Sequence, residues 1–325
     1  MYRPGYAKLA WSTLAFNVLV ILWGGVVRAS GSGAGCGGHW PLCNGEVIPR
    51  APALATAIEF SHRLTSAVAI VLVASIAVGA WRYYPRHHPV RRGAALSVLF
   101  MVTEALVGAA LVLLELVAHN TSTARGFWVA GHLLNTFLLL AALTLTAWWA
   151  SGGPPLRLRF GSSQFGGVAS ALFGVLVLAM SGAVTALGDT LFPAASLAEA
   201  EAQTFSRTAH LFVRLRLWHP VLAFAVGFMI VAMRFSSGAQ ARTASKLAGL
   251  LTALYVVQLL VGGTTVWLLA PVPAQIAHLF LADLVWIVLV LLSAASLSAE
   301  PAVPKAEDST SGAERGDKCA VGCEF

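Results

Sequence analysis

Nine histidines occur in this chain, and four of them, His62, His132, His219 and His278, each stand at the start of an even-numbered long apolar run, close to its outer end. An imidazole in such a run is expensive to bury and marks a functional position by default. The chemistry that suits it is axial ligation: a haem iron held between two helices takes one imidazole from each, facing across the bundle core. His62 with His132, and His219 with His278, supply two such pairs. The plainer reading makes each an interfacial residue bonded to a neighbour, but a recurring set of four argues against it. Mononuclear metal sites fit less well, because carboxylates and thiolates are scarce at those positions. His87, His88, His119 and His210 fall between the runs and read as solvated, while His39 lies in a cysteine-flanked loop.

Other reactive types gather near these positions. Glu59 precedes His62 by three residues, so the two share a helical face if the helix has begun there. A carboxylate beside a haem ligand is either a general acid/base or charge stabiliser, or an N-terminal charge favoured by the helix dipole. Arg63, Arg214 and Arg216 stand where haem propionates would emerge, and Arg pairs well with carboxylates. Snorkelling to the headgroups explains them equally. Cys36 and Cys43 flank a Gly- and Pro-containing loop on a side expected to be oxidising, which favours a disulfide, either a staple or a redox-active pair. Cys319 and Cys323, near the C-terminus, are too few to make a metal site.

The elements that must position these groups follow from composition. The 325 residues are 58% hydrophobic and 11% charged, with a mean hydropathy of +0.76. Soluble domains carry roughly 25% charged residues, so this is an all-α polytopic membrane protein in the lipid bilayer. Apolar runs near residues 9–28, 60–80, 94–117, 127–149, 165–187, 211–233, 246–270 and 276–298 predict eight transmembrane helices. One set of connecting segments carries 11 cations and the other four, which puts both termini in the cytoplasm and the four histidines toward the outer side of the cell membrane. The surplus of +7 is spread over these segments and implies no nucleic-acid partner.

The chain also repeats itself. Residues 25–31 resemble 182–188 at an offset of 157, which carries His62 onto His219. Glu104–Gly108 resembles Gln258–Gly262, and Gly131-His132-Leu133 resembles Ala277-His278-Leu279. The pattern predicts two duplicated four-helix bundles related by a pseudo-two-fold axis along the membrane normal. The halves are expected at 1–150 and 165–299, with a cytoplasmic linker at 151–164 and a disordered cytoplasmic tail at 300–325. The repeat breaks at one place: Arg216 stands where the first half has Glu59. That asymmetry points to one reacting site and one electron-transfer or structural site.

Gly24-Gly25-Val26-Val27-Arg28-Ala29-Ser30-Gly31, continuing to Cys36, then Trp40-Pro41-Leu42-Cys43-Asn44-Gly45 and Glu59-Phe60-Ser61-His62-Arg63, resemble the haem A synthase family. The likeness runs on through His132, His219-Pro220 and His278, over about residues 9–298. It implies an oxidoreductase of haem biosynthesis and cytochrome oxidase assembly. Its reaction would turn the C8 methyl of haem O into the formyl of haem A by successive hydroxylations, the gem-diol losing water. The resemblance further implies that His62 and His132 flank the substrate haem and that His219 and His278 ligate the iron of a haem b cofactor. Glu59 would assist the chemistry, and Cys36 with Cys43 would form the outer-loop pair. A haem O synthase is the implied donor of substrate; the electron donor is unspecified and oligomers are compatible. Two departures stand out: residues 188–210 lack the second cysteine pair common in bacterial members, and Gly37-Gly38-His39 replaces a more usual loop sequence. The rival reading is a di-haem membrane cytochrome b-type electron carrier, which needs neither Glu59 nor the cysteines. A haem transporter fits fixed bis-imidazole sites poorly, and a prenyltransferase would need Asp-rich diphosphate-binding motifs that the chain lacks.

Overall fold

A computed structural model describes residues 3–236 and 242–298. Among them are α1 (Pro4–Ala29), α2 (Leu54–Tyr83), α3 (Pro89–Leu113), α4 (Thr123–Ala150), α5 (Ser163–Leu191), α6 (Leu197–Phe205), α7 (Leu211–Ser236), α8 (Arg242–Trp267) and α9 (Val272–Ser298). All but the short α6 are long and apolar enough to cross a membrane, so the protein is an all-helical, eight-span membrane protein. The expected tail, with Cys319 and Cys323, lies outside the described residues.

All the spanning helices except α7 begin before their apolar runs, because the less apolar residues that precede a run are helical too. Ser122, Ser162 and Ser196 cap α4, α5 and α6 by accepting the amides of Arg125, Phe165 and Glu199. α2 begins eight residues before His62, so that histidine lies two turns inside its helix rather than at the end. Glu59 is likewise past the first turn, where the helix dipole has faded, and that explanation of it falls away.

Packing closes two rings. α1 touches α2, α2 touches α3, α3 touches α4 and α4 touches α1; α5, α7, α8 and α9 close a second ring in the same manner. The rings meet through α1, α4, α5 and α9. In lipid no hydrophobic force drives this contact, so close packing and cross-helix hydrogen bonds must hold it. Phe137 of α4 stacks on Trp286 of α9 at 5.3 Å, and the indole N–H donates to the Phe137 carbonyl at 2.6 Å. Arg28, expected among the loop cations, ends α1 and donates to the Ala186 carbonyl (2.8 Å), Thr190 Oγ1 (3.0 Å) and Gln275 Oε1 (2.7 Å), all in the other ring.

Candidate functional site

The four histidines occupy α2, α4, α7 and α9, six to nine residues past each helix start. At a rise of ~1.5 Å per residue they share one depth, in the half of the bundle that bears residues 30–53 and 192–210. α2 and α4 are diagonal partners in their ring, as are α7 and α9 in theirs. The imidazoles therefore project from one diagonal, and the other diagonal supplies glycines. A Cβ built on Gly24 of α1 would lie 3.0 Å from His62 Cε1, and one on Gly108 of α3 would lie 3.8 Å from His132 Cε1. Gly182 of α5 and Gly262 of α8 approach His219 and His278 at 2.8 and 2.9 Å. His62, His219 and His278 thus lean on positions where the missing side chain makes their room, while His132 stands at ordinary contact distance from Gly108.

His219 and His278 have ring centres 6.5 Å apart with planes at 85°. A metal–imidazole bond is about 2.0–2.1 Å and a ring centre lies about 1.1 Å behind its nitrogen, so two rings across one metal ion stand about 6.3 Å apart. Ser181 Oγ lies 2.9 Å from His219 Nδ1, which fixes that ring by its other nitrogen. His62 and His132 lie close enough to interact electrostatically. His62 Nδ1, His132 Nδ1 and His278 Nδ1 are buried and lack any hydrogen-bond partner. No trio of His, Cys, Asp or Glu among the described residues could hold a bare metal ion. Paired imidazoles without further protein donors fit a haem, whose macrocycle brings its own four nitrogens.

Glu59 is buried and both its oxygens are engaged. Oε2 accepts the Cys36 amide at 2.8 Å, and Oε1 pairs with the Arg63 guanidinium at 2.5 Å. Arg63 Nη1 also donates to the His39 and Leu42 carbonyls, each at 2.7 Å. Both carbonyls belong to the loop that the Cys36–Cys43 bridge closes, and both cysteines are buried. Gly35 lets the loop touch α2: a Cβ there would lie 2.5 Å from the Ala55 backbone. Arg63 thus spends its donors on the loop and Glu59.

In the second ring Arg216 has a similar task. It donates to Asp189 Oδ1 (2.6 Å), Gln203 Oε1 (3.0 Å) and the Phe192 carbonyl (2.7 Å), which ties α7 to α5 and to the segment bearing α6. That segment, read as unstapled for want of cysteines, is held by a guanidinium and a helix. Arg214 donates to the Arg207 carbonyl at 2.7 Å. Sequence reasoning missed α6, Asp189, the glycine seats and Asp283, whose carboxylate is fully buried with neither oxygen bonded.

Residues 7–290 match the COX15-CtaA family model, described as cytochrome oxidase assembly protein. Two Thermus thermophilus proteins, both named protoheme IX farnesyltransferase, are 50% and 49% identical over 306 residues. The match covers 91% of this chain and 50% of each relative, so the chain spans about half their length. A Bacillus mycoides protein named heme A synthase is 46% identical over 99 residues, 30% of this chain and 32% of that one. The chain belongs to the COX15-CtaA family of cytochrome oxidase assembly proteins, the haem A synthase family.

Proposed function

We propose that the protein is a haem A synthase that oxidises the C8 methyl of haem O to a formyl group. His62 and His132 hold the substrate haem, and His219 and His278 hold a haem b. The observation that carries this reading is the duplicated seat: two imidazole pairs on helix diagonals, each ring against a glycine, with Glu59 beside only one pair. Bound haem b supplies one-electron redox chemistry. The chain's own residues orient the substrate ring through His62 and His132 and present the Glu59 carboxylate near its edge. With the oxygen atom drawn from water, a methyl-to-formyl conversion releases four protons and four electrons; the electrons must pass to an external acceptor, and a carboxylate one helical turn from His62 is the group placed to take the protons. The haem sites face the outer side, with both termini cytoplasmic.

The farnesyl transfer named for the Thermus relatives is not assigned to this chain. Asp189 and Asp283 sit on different helices, and Asp189 is paired with Arg216, so no diphosphate-binding cluster forms from the aspartates among the described residues. A farnesylated haem is the substrate this reading requires. A farnesyltransferase activity of the kind those relatives are named for would deliver it.

The test is expression in a host that makes haem O but no haem A, followed by extraction and chromatography of the haems. Haem A is the expected product. Folded, haem-loaded protein that yields none would leave the electron-carrier reading in its place.

A further inference from the structure

Glu104 plays no part in the reading so far, yet it sits in the most elaborate polar cluster inside the first ring. Its Oε2 accepts Asn135 Nδ2 at 2.5 Å, and its Oε1 lies 2.5 Å from Thr136 Oγ1. Asn135 is fixed in turn by the Phe100 carbonyl (2.9 Å) and Thr103 Oγ1 (2.6 Å). Asn135 and Thr136 lie three and four residues after His132, so the helix that carries the imidazole also clamps the carboxylate. His132 Nδ1 is 3.4 Å from Glu104 Oε1, within ion-pair distance but without hydrogen-bond geometry, and it has no hydrogen-bond partner. Four residues along α3, Gly108 makes room for the same ring.

The second ring keeps the plan and removes the charge. Gln258 stands at the place of Glu104 and Gly262 at that of Gly108, but Gln258 Nε2 lies 3.4 Å from His278 Nε2, the other ring nitrogen from the one Glu104 approaches on His132, and His278 Nδ1 has no hydrogen-bond partner. The clamp is gone: Thr103, Asn135 and Thr136 become Val257, Leu281 and Ala282, and Gln258 Oε1 is buried without a partner. Polar side chains are costly inside a membrane bundle, so a satisfied cluster built around one carboxylate, and absent from the twin, has a task at the first pair.

We propose that Glu104 is a positioning residue for His132, aligning its ring and raising its basicity as a ligand, while Gln258 leaves His278 the weaker donor. The proposal rests on the bis-imidazole haem reading. A carboxylate facing the non-ligating nitrogen of a metal-bound histidine orients the ring and strengthens it as a donor. That favours ferric over ferrous iron at the first site.

The experiment exchanges the two residues in full-length protein. Glu104→Gln is measured in a His219→Ala background, which leaves only the first site loaded, and Gln258→Glu in a His62→Ala background. Redox titration and EPR of the bound haem are the readouts. Glu104→Gln is expected to raise the first-site midpoint by about 59 mV, a tenfold change in the one-electron equilibrium, and to alter the ferric g-values. Gln258→Glu should lower the second-site midpoint. An unchanged midpoint and spectrum in haem-loaded Glu104→Gln would overturn the proposal; if that variant does not accumulate, an unchanged midpoint in Gln258→Glu does so. Failure of the haem reading looks different: His62→Ala and His132→Ala would then retain the full haem complement.

Discussion

In the first ring the ion pair lies within one helix, Glu59 and Arg63 of α2, and its reach is outward into the disulfide loop. In the second ring the pair bridges two helices, Asp189 of α5 and Arg216 of α7, and it grips the segment around α6. Both loops are held by a guanidinium, but only in the first arrangement does the carboxylate paired with it sit on a histidine helix. The glycine contacts differ at one place: Gly24, Gly182 and Gly262 stand 3.0, 2.8 and 2.9 Å from their imidazoles, whereas Gly108 stands 3.8 Å from His132. The contrast teaches that a shared helix plan can be given two duties by changing which side chains carry charge.

The largest effect that would sharpen this contrast is in the histidines. His62→Ala and His132→Ala are expected to abolish haem A while leaving the haem of His219 and His278, as counted per polypeptide by absorbance. Glu59→Gln should keep both haems and the loop, since an amide oxygen still accepts the Cys36 N–H, yet lose about 10²–10⁴-fold in rate. Arg63→Ala tests the opposite idea. If it costs as much activity as Glu59→Gln, the carboxylate works only through the loop and the two rings are less different than argued.

Smaller effects follow from the glycines. Overpacking costs about 1–3 kcal/mol, so Gly182→Ala or Gly262→Ala should weaken haem retention about tenfold, and Gly108→Ala should change it less than about twofold by the same principle. Equal losses at all three would erase the distinction between seats. The smallest change is Gln203→Ala, which removes one hydrogen bond to Arg216, worth about 0.5–1.5 kcal/mol. It should speed protease cleavage between residues 192 and 210 and leave both haems in place.

Much of this was legible in the chain. A span must satisfy its backbone internally, so long apolar runs reveal eight helices, and an imidazole inside one stands out. Pairing across helices was not legible, because it depends on how each helix is rotated. Arg63 read as a propionate contact equally well as a snorkelling residue; only the fold shows its donors turned to Glu59, His39 and Leu42. The glycine seats left a faint trace, since Gly108 and Gly262 recur in the repeat, but nothing in composition says that a ring lies against them. α6 is short and polar on several sides, so hydropathy passed over it.

Arg28 has one more implication, for which half can pair with which. Its hydrogen bonds all end in the other ring, on Ala186, Thr190 and Gln275. In the repeat the first half has Gly33 and Val129 where the second has Thr190 and Gln275, and Thr185 where the first has Arg28. Two first halves docked across this seam would bring two guanidiniums together with neither side-chain acceptor, an arrangement that buried charge does not tolerate. Arg28 therefore makes the seam a heterotypic junction that rejects self-association of its own half.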